Sequence, residues 1–423
     1  MRQSKLFYQT SKNVSEADGA PEIKFLLQGD YIERLASGVY SFLPLGWRVM
    51  RKLIELIREE MDFIGAQEVS LPTLQPKKIW EESGRWNAME PPLFKLKDQH
   101  KKEFALGPTH EEVMTGLART RLNSYKKLPV YLYQIQTKFR NEIRATGGLL
   151  RTREFIMKDL YSFHDNADDL AKYYELVAKT YHRIFKKLKL DVLQIDAVSG
   201  SIGGETSHEF MVPSVSGEDK VYYCNNCKLG FSAEYLAEKE QKKDDNLVCE
   251  KCGSKLKIES CIECGHIFNL GDKYSKSMNL EYAGKDGKKN NVLMGCYGIG
   301  LGRIIATVIA VHHDKNGIIW PESITPFDVH LINLNLKEED HIKKVDVIEK
   351  KLIEKGMDVL YDDRIGNSAG EKLAEADIIG IPVRIIVSKR TLETGMAEIK
   401  RRGEDGVETI KLEDVVENLK LKT

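Results

Sequence analysis

The chain has 423 residues, 42% of them hydrophobic and 30% charged, which exceeds one ordinary domain and excludes disorder as the main state. Lys+Arg and Asp+Glu both number 64, so the net charge is zero; that excludes a globally basic nucleic-acid coat but not a local basic groove. The longest apolar stretch, Ile304 to Val311 around Thr307, cannot span a bilayer, and residues 1–10 have no apolar signal core, so a cytoplasmic chain without membrane contact is expected.

The first clear helix is predicted from about Trp47 to Ile64, where Val49, Leu53, Ile57, Met61 and Ile64 recur at helical spacing before Gly65 stops it. A short strand, Glu68 to Leu71, runs into Pro72. A polar stretch, Trp80 to Lys102, reads as loop and short helix. Phe104-Ala-Leu-Gly-Pro-Thr-His-Glu-Glu reads as a strand breaking into a turn and a helix start. Val130–Arg140 and Glu154–Asp159 read as paired strands, with Gly147-Gly148 in the loop between them. A second long helix is predicted from Asp168 to Leu188.

From Gly217 to Cys261 the chain is rich in Lys, Asp and Cys, with little periodicity, and reads as an inserted module. Regular structure returns at Ile267. Asn291–Tyr297 reads as a strand, and Gly298-Ile-Gly-Leu-Gly-Arg303 opens an apolar helix. After Pro326, strands (329–335, 357–361, 383–387, 396–401) alternate with helices (337–355, 369–379, 412–420), the pattern of a compact α/β domain with a partly parallel sheet.

Four motifs carry chemistry. Six of the seven cysteines sit in CxxC pairs. Cys224, Cys227, Cys249 and Cys252 have the spacing of two knuckles that give four thiolates to one structural zinc. Cys261 and Cys264 are a third pair that could replace one knuckle or pack in the following strand. Arg140 and Glu142 share one strand face; so do Phe155, Met157, Asp159 and Tyr161 on the partner strand. A guanidinium binds phosphate or carboxylate, and an aromatic ring stacks on a base, although Arg and Glu two apart are ordinarily a surface ion pair. The glycines before Arg303 match neither a Rossmann fingerprint nor a P-loop; they suit an anion at a helix start or close helix–sheet packing. Thr109 and Glu111 could bind an ammonium group, or simply begin a helix.

Taken together, these segments resemble the bacterial-type prolyl-tRNA synthetase family, within the class II aminoacyl-tRNA synthetases, over nearly the whole chain. The Trp47–Ile64 helix leading to Pro72 resembles the first class signature. Lys138-Phe-Arg-Asn-Glu142 with Leu149-Leu-Arg-Thr-Arg-Glu-Phe-Ile-Met-Lys-Asp159 resembles the second, and Gly295-Cys-Tyr-Gly-Ile-Gly-Leu-Gly-Arg303 the third. The prolyl assignment rests on Gly107-Pro-Thr-His-Glu111, Ser207-His-Glu-Phe210, Gly265-His-Ile-Phe268 and Gly295-Cys-Tyr-Gly298. Asp362-Asp-Arg364, Ala376-Asp-Ile-Ile-Gly-Ile-Pro382 and Glu398-Ile-Lys-Arg-Arg402 resemble the family's anticodon-binding domain.

The resemblance implies an α+β catalytic domain with an antiparallel sheet and flanking helices (1–212 and 262–325), a small Cys-rich zinc-ribbon-like insert (213–261) and a C-terminal α/β anticodon-binding domain (326–423). It implies ligation of proline to tRNA(Pro) using ATP and Mg²⁺, by a homodimer. Arg140 and Arg303 are the expected catalytic residues. Glu142, Arg151, Phe155 and Gly300 join them around ATP. Thr109, Glu111, Arg140, Met157, Asp159, Tyr161, His266, Cys296 and Gly298 are expected around proline, and Asp363, Arg364, Glu398, Lys400 and Arg402 at the anticodon.

Two departures stand out. The family's second signature usually carries Pro-Arg-aromatic-Gly after its Glu-x-Arg, where this chain has Ala145-Thr146-Gly147-Gly148. The space in which many bacterial members hold an editing domain contains only the cysteine module, so no cis-editing is expected and correction would fall to a trans-acting protein. Rival readings are another class II ligase, a non-catalytic paralogue, or a zinc-ribbon RNA binder.

Overall fold

The computed structural model describes residues 1–10, 20–238, 247–334 and 336–419. The chain forms two units: one of Arg34–Tyr40 with Ile54–Thr307, the other of Met1–Glu33, Ser41–Leu53 and Val308–Thr423.

The larger unit is built on a nine-stranded sheet. Its order is Thr206–Pro213, Leu193–Ala197, Gly230–Ser232, Asp219–Tyr223, Lys257–Gly271, Leu293–Gly300, Glu154–His164, Val130–Phe139 and Gln67–Glu68. Pairing is antiparallel except at Gln67–Glu68 with Val130–Phe139 and at one bridge, Phe231 to Asp196. The β-branched and aromatic residues of Val130–Phe139 and Glu154–His164 suit a pleated surface, and the two strands pair over ten residues in register, from Val130↔Phe163 to Phe139↔Glu154. Gly147 and Gly148, at φ 70° and 58°, turn the chain between them.

The helix Ala167–Lys187 covers one face. Asn166 caps it by accepting from the Asp169 amide at 2.9 Å, and Leu170, Tyr174, Val177, Tyr181 and Ile184 are buried. Leu170, Val177 and Ile184 each contribute about 1.5–3 kcal/mol relative to exposure. The helix packs on Glu154–His164, Lys257–Gly271 and Leu293–Gly300, the strands that carry the site.

Several boundaries move. The early helix is Pro44–Phe63 and the strand after it only Gln67–Glu68. The strand expected to resume at Ile267 begins at Lys257, so the insert ends before Cys261. Main-sheet pairing overrides local composition there: Lys257–Cys261 pairs with Asp219–Tyr223, and Cys261–Asn269 with Thr206–Pro213. Within the module, 239–246 lie outside the described residues.

The smaller unit holds a five-stranded sheet in the order Val359–Asp362, Val329–Leu334, Val383–Ser388, Met396–Arg401 and Val407–Lys411. The first three strands are parallel and the last two antiparallel, the partly parallel sheet the sequence implies. The last helix is only Val415–Asn418, and residues 335 and 420–423, at the ends of two expected elements and the expected domain, lie outside the described residues. Residues 1–33 and 41–53 belong to this unit rather than to the larger one. The Tyr361 amide donates to the Met1 carbonyl at 2.9 Å, Arg2 reaches Asp346 and Glu349 at 2.9 Å, and the Tyr31 hydroxyl donates to the Ile379 carbonyl at 2.6 Å. Composition boundaries follow chain order and cannot register such long-range pairing.

Candidate active site

Five strands of the large sheet align Glu209, His266, Gly298, Asp159 and Gln134 as successive cross-strand partners. Cross-strand partners share a face, so they form one polar row. Gly298 stands at its centre; a Cβ there would meet nothing closer than Met157 Sδ at 3.8 Å. A cleft of about 430 Å³ lies over the centre of the row, and the bare Gly298 leaves its floor open. Arg140, Glu142, Arg151, Phe155, Gly300 and Arg303 line it, as do Thr109, Glu111, Met157, Asp159, His266, Cys296 and Gly298. Of the expected ATP and proline residues only Tyr161 lies behind the wall, fully buried.

One end of the cleft is cationic. The Arg140 guanidinium sits 5.2 Å from the Phe155 ring centroid, and its Nε has no hydrogen-bond partner. Burial, and then the facing Arg303, push its pKa down. Arg303 donates through Nε to the Leu150 carbonyl at 2.9 Å and through Nη1 to Glu263 Oε2 at 2.6 Å. His266 stacks on Phe268 at 3.9 Å, with Nδ1 3.4 Å from Glu263 and 3.5 Å from Glu209. Burial, and then Glu263, raise the Glu209 carboxyl to about 9.

The other end is anionic. Glu111 opens the helix Glu111–Arg119, whose N-terminus favours a carboxylate. Its Oε1 accepts from Thr109 Oγ1 at 2.8 Å and Cys296 Sγ at 3.1 Å. The Tyr161 hydroxyl accepts from the His110 amide at 2.9 Å and donates to Asp159 Oδ2 at 3.0 Å, so Tyr161 braces the Thr109–Glu111 turn from behind. Asp159 Oδ2 also accepts from Gln134 at 2.9 Å and Lys138 Nζ at 3.0 Å. The Asp159 carboxylate is therefore held by the protein, unlike that of a free substrate ligand.

Sequence reasoning missed three groups here. Lys138, fully buried, bridges Asp159 and His110 Nδ1, the latter at 2.7 Å. The available signal was Gln134, Gln136 and Lys138, a polar alternation on one face of an otherwise apolar strand. Arg85 reaches Glu111 Oε2 at 3.2 Å from the loop Ser83-Gly84-Arg85-Trp86, where no periodicity marks it. Met89–Pro91 and Val198–Ile202 complete the cleft wall, and Ser201 Oγ donates to the Glu90 carbonyl at 3.3 Å. The loop that departs from the second signature is tied to Glu218, through Thr146 Oγ1 at 3.3 Å and Arg151 Nη1 at 3.4 Å.

The Sγ atoms of Cys224, Cys227, Cys249 and Cys252 all lie within 4.8 Å of one another. The two knuckles repeat one geometry: Cys224 and Cys249 donate their amides to Leu229 and Ser254 and accept at their carbonyls from Lys228 and Gly253, which have φ of 58° and 70°. This donor set and shape fit a tetrahedral zinc. Cys261 packs with Ile195, Met211 and Val221, and Cys264 lies 3.5 Å from Thr307 Oγ1, so neither joins the cluster.

In the smaller unit the five anticodon candidates are scattered over two segments. The Asp363 carboxylate accepts from Ser4 at 2.7 Å, and Arg364 is clamped by Asp362 and Glu375. Glu398 accepts from Arg390 at 2.6 Å, and Lys400 from the same strand donates to the Glu404 carbonyl. The Arg402 side chain is 5% exposed and donates to both Asp314 oxygens at 2.6 and 2.7 Å. Among the described residues no helix is long and apolar enough to cross a membrane.

The family model for the tRNA synthetase class II core domain (G, H, P, S and T) matches residues 94–312, and that for the anticodon-binding domain matches 328–422. The chain is 40% identical over 428 residues to a proline–tRNA ligase of Anaplasma phagocytophilum (strain HZ), covering 99% of this chain and 100% of that protein. It is 39% identical over 433 residues to one from Wolbachia sp. subsp. Brugia malayi (strain TRS), covering both chains fully. A Giardia lamblia prolyl-tRNA synthetase solved with prolyl-adenylate superposes with a TM-score of 0.79 at 22% identity, over 95% of this chain and 76% of that one. One from Cryptosporidium parvum, solved with halofuginone and AMPPNP, gives 0.77 at 18%, over 97% and 76%.

Proposed function

The chain belongs to the proline–tRNA ligases, and from that premise we infer how its residues do the work. It activates proline with ATP to prolyl-adenylate, releasing pyrophosphate, and transfers the prolyl group to the 3′ end of tRNA(Pro). The observation that carries the residue assignment is one cleft with two guanidiniums at one end and a buried carboxylate at the other. A zwitterionic amino acid and a nucleotide triphosphate need that polarity.

Arg140, which lines the cleft, would hold both the proline carboxylate and the ATP α-phosphate and so bring nucleophile and electrophile together. The carboxylate is already ionised, so the first step needs no base; positioning and charge stabilisation carry it. As a carboxylate oxygen bonds to the α-phosphorus, the bond to pyrophosphate breaks, and Arg303 takes the charge that grows on the leaving phosphates. Phe155 stacks on adenine, Glu142 accepts from its amino group, and Arg151 and Gly300 border the phosphates. Thr109 and Glu111 take the secondary ammonium. Met157, Asp159, His266, Cys296 and Gly298 shape the ring pocket, and Tyr161 supports it from behind. Mg²⁺ bound with ATP would add positive charge at the phosphates; Glu263 and Glu209, whose ligand atoms lie within 4.8 Å of each other and of His266, would hold it, Glu209 giving up its proton to do so. The terminal ribose hydroxyl of tRNA then attacks the activated carbonyl.

Zinc on the four clustered cysteines would cross-link a module whose own core is small, a cluster of Tyr222, Ala233, Leu236 and Leu256 around Cys224 and Cys249. The surface around Asp363, Arg364, Glu398 and Lys400 is our candidate for anticodon contact. We also propose a cytoplasmic homodimer joined through the Trp47–Pro72 segment, with correction of mischarged tRNA by a separate protein. ATP–pyrophosphate exchange across the amino acids tests the assignment. Proline should drive exchange far above the rest; another amino acid in its place, or none, would overturn it.

A further inference from the structure

Arg85 is a cation buried directly behind the anionic end of the cleft. Its side chain is 5% exposed, and those of Glu111 and Glu112 are fully buried. A single nitrogen, Nη1, lies 3.2 Å from Glu111 Oε2 and 3.0 Å from Glu112 Oε1. Nη2 meets Met89 Sδ at 3.0 Å, and the guanidinium is 5.3 and 5.5 Å from the Trp80 and Tyr274 ring centroids. Arg85 therefore has little freedom to turn. Glu111 borders the cleft, while Arg85 and Glu112 do not.

The charge balance of this cluster is informative. Two buried carboxylates share one guanidinium, and leaving buried charge uncompensated is costly. Lys273, an exposed cation, is turned to the Ile202 carbonyl, to which it donates at 2.8 Å. Burial raises the Glu112 carboxyl, with Arg85 opposing, and Lys138 and Arg140 also act on Glu111, so Arg85 is the cation in contact with Glu111 but not the only one that acts on it. Ser83 Oγ at 2.7 Å holds Glu112 Oε1 against Arg85, so Glu112 takes part of the guanidinium's charge that would otherwise fall on Glu111. Glu111 Oε2 is pinned from behind, which fixes Oε1 toward Thr109 and Cys296.

We propose that Arg85 is a positioning residue for amine recognition: it holds the Glu111 carboxylate edge-on to the cleft, and Glu112 draws enough of its charge away to keep Glu111 a strong acceptor for the substrate ammonium. The proposal rests on the reading of Glu111 as the ammonium's counter-ion. A hydrogen bond to a charged group contributes about 1.5–3 kcal/mol, which is roughly tenfold or more in affinity.

The test is proline and ATP KM in pyrophosphate exchange for Arg85→Met, Arg85→Lys, Glu112→Gln, Glu111→Gln and the double variant Arg85→Met/Glu111→Gln. Arg85→Met should raise proline KM about tenfold or more and leave ATP KM within about twofold. Arg85→Lys should recover part of the loss, and Glu112→Gln should raise proline KM by about threefold or more. Because Arg85 acts through Glu111, the double variant should be no worse than Glu111→Gln alone. Parallel rises in both KM values, or effects that multiply in the double variant, would overturn the proposal. If Arg85→Met does not fold, Arg85→Lys and Glu112→Gln decide it by the same criteria. An unchanged proline KM in Glu111→Gln would instead defeat the underlying reading. A raised KM there, with no change in Arg85→Lys and Glu112→Gln, would defeat only the role of Arg85.

Discussion

Replacing Arg303 by alanine should abolish adenylate formation while leaving the chain folded. Arg303 and Arg140 both line the cleft, and Glu263 pairs with Arg303 at 2.6 Å, which holds the guanidinium in place. Removing a preorganised contact to charge that develops in the transition state costs about 3–4 kcal/mol, or 10²–10³ in rate. The effect on stability is far smaller. The Arg303 and Glu263 side chains are each 29% exposed, so solvent screens the broken pair and about 1 kcal/mol or less is expected. The two consequences separate in a second variant. Arg303→Ala strands Glu263 near Glu209, and adding Glu263→Gln removes the stranded charge. The double variant should therefore regain the melting temperature but not the activity. Pyrophosphate exchange measures the first effect and thermal unfolding the second. Exchange within about tenfold of the parent in Arg303→Ala, or recovery of exchange in the double variant, would refute the reasoning.

Burial, and then Lys138, depress the His110 pKa from 6.5 to about 4, so between those values the unfolded chain binds a proton that the folded chain refuses. This contribution is complete above pH 6.5, is lost as pH falls toward 4, and amounts to about 3 kcal/mol; His110→Gln should flatten the fall in denaturation midpoint over that range, and an unchanged slope would show that His110 does not set it. Metal analysis of the purified protein should find one zinc per chain, retained in Cys261→Ser/Cys264→Ser and lost in Cys224→Ser/Cys227→Ser; the opposite pattern would show that the wrong pairs were chosen. Alanine should be activated measurably, since a pocket built for a proline ring discriminates by only about 1–3 kcal/mol per missing methylene. The chain should not deacylate alanyl-tRNA(Pro), because Thr206–Pro213 and Lys257–Gly271 are sheet strands and the residues between them form the cysteine module; hydrolysis well above the spontaneous rate would reveal an unrecognised editing site.

The parts of the site legible in the sequence were those written in short-range pattern. Phe155, Met157 and Asp159 sit two apart on one strand, so alternation placed them on one face before any fold was known; Arg140 and Glu142, expected to share a strand face, instead lie past the strand end at Phe139, where the Glu142 amide donates to the Arg140 carbonyl at 2.8 Å in a tight turn. The knuckle cysteines were legible for a similar reason, because a CxxC turn brings its sulfurs together locally. The cross-strand row was not, since Glu209 meets His266, and His266 meets Gly298, only through register. Arg85 was invisible on the same ground: its partners are 26 and 27 residues away, and a lone Arg in a polar loop looks like any solvated cation. Local composition also failed at Cys261, where a polar run conceals the first third of a fifteen-residue strand. The edge strand Val407–Lys411 escaped because it is mostly exposed and has no apolar alternation to read.

The division of the smaller unit among residues 1–33, 41–53 and 308–423 has a consequence for how the chain is made. Ile23, Phe25, Leu26, Tyr31 and Ile32 are buried in the finished protein and leave the ribosome early. Their unit is incomplete until roughly 270 further residues are polymerised, an interval of tens of seconds at about 5–20 residues per second. The large sheet lies wholly inside that interval and can close first, with the apolar head of the chain still unsatisfied. A nascent chain stalled before Val308 is therefore expected to hold every strand of the large sheet while the apolar side chains between Ile23 and Ile32 still lack their partners. Slowing translation downstream of the third signature should therefore raise aggregation more than slowing it in the first thirty codons.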